Sequence, residues 1–162
     1  MTAELPNSPL IKEADWNYAL WWKRISKDNI QARYVSPFAV ILHQEGTYPK
    51  IGKGTWIGHF CLIDGSQGLE IGENCSISSG VQIYTHSTHK KAAYDMPKMV
   101  APTKIGNNVF IGPNSVVSLG CTIGDRVIIA PVSFIAPFSD IQPQMKVEGH
   151  VHVTRWSKTR DE

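Results

Sequence analysis

Two histidines three residues apart stand in the run Tyr84-Thr85-His86-Ser87-Thr88-His89-Lys90. Histidine is the side chain best poised to take a proton near neutral pH, so His86 is a candidate base. The competing reading is a loop histidine that only hydrogen-bonds a carbonyl. His89 is either a substrate contact or a bystander. A carboxylate precedes this run in Ile63-Asp64-Gly65-Ser66-Gln67-Gly68-Leu69. Placed near His86, Asp64 could orient the imidazole, stabilise its cation or grip an acceptor hydroxyl; otherwise it is a turn aspartate accepting backbone N–H bonds. Cys61, Cys75 and Cys121 read as small interior fillers, neither disulfides nor ligands. No serine or cysteine has an evident activating partner, so direct attack is the simplest mechanism this chain could support.

The elements that must position these groups come from a period of six. Aliphatic residues return at Ile105, Ile111, Val117, Ile123, Ile129, Ile135 and Ile141, and earlier at Ile51, Ile57, Ile63 and at Ile71, Ile77, Ile83. Six residues hold a short strand and a turn, and three hexads close a triangular coil on which the next stacks in parallel. Position one points inward, small residues at position five share that interior, and glycine often follows the aliphatic. The predicted class is all-β. The step from Ile63 to Ile71 carries two extra residues, which predicts a corner bulge over Ser66, Gln67 and Gly68. From Val35 to Tyr48 the period weakens to one irregular coil. The step from Ile83 to Ile105 is 22 residues where six would continue the coil, and a long excursion from so regular a solid is usually functional. One coil, about 5 Å of stacking, separates Asp64 from His86.

Ahead of the repeat, Ile11, Ala14, Tyr18, Trp21, Trp22 and Ile25 recur at helical spacing, with Ser8 and Pro9 suited to the N-terminal cap. This helix reads as a cover for the open coil end or a neighbouring subunit in preference to an aromatic shelf for a sugar or nucleotide. The expected organisation is a helical segment over 1–34, a β-helix over 35–149 with an inserted loop at 87–102, and a tail over 150–162.

At 162 residues, 42% hydrophobic and +2 in net charge, the chain suits one domain and offers no basic block for nucleic acid or anionic membrane. Glu4, Lys12 and Glu13 stand where a signal peptide needs apolar residues, so a cytoplasmic protein without membrane insertion is expected.

The hexads over 51–141 resemble the left-handed parallel β-helix of hexapeptide-repeat acyltransferases. The Asp64-Gly65-Ser66 segment followed by Thr85-His86 resembles the sugar O- and N-acetyltransferases of bacterial surface-polysaccharide biosynthesis. The resemblance implies left-handedness, a homotrimer, acetyl-CoA as co-substrate, no metal, and a sugar or nucleotide-sugar acceptor. His86 would be the general base and Asp64 its catalytic partner. Coenzyme A would lie along small residues at Gly112, Ser118, Ala130 and Ala136, its phosphates near Lys146, Arg155 or Lys158. Tyr84, His89, Lys90 and His59 would contact the acceptor, whose identity is set by the excursion with Lys90, Lys91, Tyr94, Asp95 and Lys98. Two departures stand out: Pro113 has no N–H where relatives often donate one to the thioester oxygen, and the tail Val147-Glu148-Gly149-His150-Val151-His152-Val153 replaces a Gly-x-Pro-Ala segment. The rivals are a non-catalytic scaffold and a zinc site of the gamma-carbonic-anhydrase kind, which needs His-x4-His where this chain has His-x2-His.

Overall fold

Position one of each hexad carries a branched aliphatic with no hydrogen-bonding need of its own, so burying it in a column is the cheapest solution the chain has. The computed structural model, which describes residues 29–44 and 46–151, builds that column. The first face stacks β1 (Tyr34–Val35), β4 (Trp56–Ile57), β7 (Ser76–Ile77), β12 (Phe110–Ile111), β15 (Ile128–Ile129) and β18 (Lys146–Val147). The second stacks β2 (Val40–Leu42), β5 (Leu62–Asp64), β8 (Gln82–Ile83), β13 (Val116–Val117), β16 (Phe134–Ile135) and β19 (His150–Val151). The third stacks β3 (Lys50–Ile51), β6 (Leu69–Ile71), β11 (Thr103–Ile105), β14 (Thr122–Ile123) and β17 (Asp140–Ile141). Every pairing within these faces is parallel, and the solid is a left-handed parallel β-helix of about 6 turns.

Register follows the period. Ile51, Ile71, Ile105, Ile123 and Ile141 align on the third face, and Ile57, Ile77, Ile111, Ile129 and Val147 on the first. All are buried, each stabilising the fold by roughly 1.5–3 kcal/mol relative to exposure. The weak stretch is a coil as expected, with Val35 opposite Ile57 and Ile41 opposite Ile63. The β-helix also reaches beyond its expected limits: Ile30 bridges Ile51, and β19 extends to Val151. The helix expected around Ile11 to Ile25, and Arg155 and Lys158, lie outside the described residues.

Small polar residues at position five have a specific use. Thr55 and Ser115 donate their hydroxyls, and Cys61, Cys75 and Cys121 their thiols, to the position-two carbonyl of the coil above. The glycines at position two answer a different demand. A Cβ on Gly72 would fall 2.6 Å from the Gly106 carbonyl oxygen, so stacked corners leave no room for one. Positive φ belongs instead to position four, as at Asn74, Asn108, Phe60 (φ 59°) and Val132 (φ 57°).

Three excursions leave the edge between the second and third faces on successive coils: residues 43–49, 65–68 and 84–102. The middle one is the expected corner bulge, closed by Gly68 N–H to the Gly65 carbonyl. The third is a built element. β9 (His86–Ser87) pairs antiparallel with β10 (Met99–Val100), and between them α1 (His89–Tyr94) ends on Asp95 in the left-handed conformation. Pairing these backbone groups with one another lets a long segment stand off the coil without stranding them.

Candidate functional site

Asp64 occupies position two of its hexad, at the edge where the excursions leave. Its side chain is fully buried, and its two oxygens are shared among four donors. Oδ1 accepts the Ser66 N–H at 3.0 Å. Oδ2 accepts the Thr85 N–H and the Thr85 hydroxyl, each at 3.0 Å, and His86 Nδ1 at 2.6 Å. Burial pushes the Asp64 carboxyl up. The Ser66 hydroxyl, beside it but short of hydrogen-bond geometry, acts in the opposite direction, as do the Thr85 and Ser66 N–H groups and His86; together they hold the carboxyl below the usual carboxylate range. An ionised carboxylate only accepts, so His86 must present Nδ1–H to it and keep its lone pair on Nε2.

The ring of His86 is 31% exposed and borders an open pocket of about 410 Å³. Tyr84, Ser87, Thr88, His89, Ser118, Leu119, Phe134 and Pro137 complete the lining. The Tyr84 hydroxyl bonds Gln82 Oε1 at 2.6 Å, and Ser87 Oγ lies 2.7 Å from His89 Nδ1. Among the described residues the lining contains hydroxyls, imidazoles and apolar groups and no carboxylate, ammonium or guanidinium.

The structure gathers some of the expected residues and separates others. Ser118 and Ala136 stack above Tyr84 on the His86 edge, and Ser118 lines the pocket. Gly112, Ala130 and Pro113 lie on the edge between the first and second faces, as does His59, whose Nδ1 is 2.5 Å from the buried Ser36 hydroxyl. None of these four lines the pocket, so within one chain the missing N–H of Pro113 takes nothing from it. Lys90 is half-buried on α1 away from the lining, and Lys146 on the first face is paired with Glu148. Thr85 and Ser66 were not expected as site residues. Their signal was adjacency to His86 and Asp64; Ser66 bonds Asp64 within one turn, whereas Thr85 owes its place to a contact between coils.

The three cysteines are buried and free. Burial pushes the Cys121 thiol up to about 11 and raises Cys61 and Cys75 in the same direction, against any nucleophilic use. Among the described residues no three His, Cys, Asp or Glu side chains converge as a metal site would require, and the Nδ1 atoms of His86 and His89 both have hydrogen-bond partners. The donor set of a zinc hydratase is therefore not assembled within these residues. No helix among them is long and apolar enough to cross a membrane.

Comparison with known proteins sets similar chains beside this geometry. Residues 102–137 match the bacterial transferase hexapeptide (six repeats), and residues 50–85 match the hexapeptide repeat of succinyl-transferase. The galactoside O-acetyltransferase of Escherichia coli K12 is 29% identical over 106 residues, 64% of this chain and 51% of that protein. The mitochondrial gamma carbonic anhydrase 2 of Arabidopsis thaliana is 30% identical over 96 residues, 59% of this chain and 31% of that protein. The chain thus spans about half the length of the first of these relatives and less than a third of the second. Among solved structures, AntD, an N-acyltransferase from Bacillus cereus in complex with dTDP and 3-hydroxybutyryl-CoA, superposes with a TM-score of 0.60 at 16% identity, covering 79% of this chain and 83% of that one. A maltose O-acetyltransferase from Clostridium difficile 630 gives a TM-score of 0.51 at 26% identity, over 75% and 59%.

Proposed function

We propose that this hexapeptide-repeat β-helix is an acetyl-CoA-dependent acetyltransferase acting on a hydroxyl or amine of a sugar, with His86 as general base. The observation that carries the reading is the 2.6 Å contact between His86 Nδ1 and a buried, ionised Asp64 at the mouth of a pocket. With Nδ1–H held by the carboxylate, Nε2 takes the acceptor's proton as its oxygen or nitrogen attacks the thioester carbonyl. Collapse of the tetrahedral intermediate expels the CoA thiolate, which recovers the proton from the imidazolium. Asp64 stabilises that transient cation and keeps the ring in the reactive tautomer. The neutral, hydroxyl-rich lining suits a sugar, and the neighbour solved with dTDP makes nucleotide-linked sugars the first acceptors to try.

The assembly we propose is a homotrimer. The first face turns Trp56, Phe110 and Ile128 outward, whereas the third turns out Lys50, Glu70 and Lys104, linked as an ion ladder. Outward apolar side chains on the first face, separated by Ser76 and followed by Lys146, stand beside a charged third face, and this contrast fits association through the first.

Calorimetric titration with acetyl-CoA and CoA, followed by thiol release against a panel of nucleotide sugars, tests the function. Micromolar binding with acceptor-dependent thiol release is the expected result. Absence of binding up to millimolar donor would remove the acetyltransferase reading and favour a scaffold.

A further inference from the structure

We infer that Thr85 is a positioning residue of the His86–Asp64 pair: its hydroxyl aims the carboxylate oxygen that holds the imidazole. The argument is one of donor and acceptor count. Thr85 Oγ1 has a single proton and two groups within reach, the Gln67 N–H at 3.1 Å and Asp64 Oδ2 at 3.0 Å. The Gln67 amide can only donate, so the hydroxyl accepts there and its proton goes to Asp64. The orientation of the hydroxyl is therefore dictated by the 65–68 turn. Thr85 is fully buried.

An aspartate carboxylate turns readily about its last torsion. Here Oδ1 is held from the 65–68 turn by the Ser66 N–H, and Oδ2 from the 84–102 excursion by both donors of Thr85. With those three bonds in place, the remaining direction at Oδ2 faces His86 Nδ1. Two stacked excursions thus meet at one hydroxyl, and the imidazole inherits their rigidity without touching Thr85's side chain. His86's orientation depends on a residue that never reaches the substrate.

The inference rests on His86 being the working base, but its test need not. NMR titration of the His86 ring in the wild type, Thr85→Val, Thr85→Ser and Asp64→Asn requires no substrate. Thr85→Ser keeps the hydroxyl and should titrate as the wild type does. Thr85→Val should move the His86 midpoint away from the wild-type value and weaken the low-field Nδ1–H resonance. Where acetyl transfer is measurable, the valine variant should lose about tenfold in kcat, the order expected for one directed hydrogen bond, with the KM for acetyl-CoA unchanged and the serine variant restored. A valine variant whose His86 midpoint and Nδ1–H resonance match the wild type, while Asp64→Asn changes both, overturns the inference. So does an Asp64→Asn variant that leaves both unmoved. Should valine prevent folding, Thr85→Cys carries the same test, since a thiol fills the space and donates weakly. Absence of acetyl transfer with the titration behaving as expected would defeat the proposed function and leave the positioning role standing.

Discussion

The two groups at the centre of the site predict different losses. Removing the proposed base in His86→Ala should lower acetyl transfer by ~10²–10⁴-fold while CoA binding stays nearly constant, as kcat and a donor titration on one sample would show. An unchanged rate would exclude His86. Asp64 predicts a pH signature in stability. Its carboxyl is held below its ordinary value in the folded chain, so the stability it contributes is present above the unfolded-state value of about 3.9 and is lost as pH falls through the lower folded value. Denaturant midpoints of the wild type should therefore fall relative to those of Asp64→Asn as the solution is acidified below about pH 4. Parallel curves would mean the carboxyl is not depressed. Both residues were legible in the sequence, Asp64 because it breaks the glycine habit of position two and His86 because it opens the excursion. Thr85 was legible only as His86's neighbour, since its bonds reach the preceding coil and the turn beside it.

At the scale of the elements, the period of six was enough to read the coils, their register and the corner bulge, because each depends on one inward aliphatic per hexad. It did not separate the two special corner positions. Position two is glycine because coils stack too closely for a Cβ, and position four adopts positive φ whatever its residue. Those demands predict opposite outcomes. Gly72→Ala should destabilise by about 1–3 kcal/mol through overpacking. Val132→Gly should stabilise by about 1 kcal/mol, because a β-branched residue at φ 57° is strained and its exposed side chain gives little back. Equilibrium urea unfolding of both would decide, and a fall in the second would place the Val132 side chain against another chain. The 89–94 helix was illegible for a related reason: it buries none of its residues, so it has no apolar period to detect. The edges could have been read. Residues 18 apart share an edge, or 34 apart across the excursion, which puts Ser118 and Ala136 over Tyr84 and sends Gly112 and Ala130 elsewhere, but choosing by small size alone ignores the count of three.

For the whole molecule, the separation of Gly112, Ala130 and His59 from the His86 pocket changes what the expected cofactor residues can mean. The whole second face separates the two edges within one chain, whereas a neighbouring copy could bring its own first-to-second edge alongside a His86 pocket. Assembly and activity would then be linked, and the first face offers a way to separate assembly from chemistry. Phe110 and Ile128 point outward on adjacent coils and belong to neither the pocket nor the core. Replacing both with Asp places two carboxylates where an apolar contact would form, and desolvating them costs far more than a trimer contact of that area returns. The double variant should scatter light as a single chain, retain its β-sheet circular dichroism, and lose acetyl transfer despite an untouched pocket. Thr122→Asp places a carboxylate on the exposed third face instead and should leave mass and rate alone. A wild type that is monomeric and fully active, or a double variant that dissociates without losing activity, would make each chain a complete enzyme and return Gly112, Ala130 and His59 to plain corner residues.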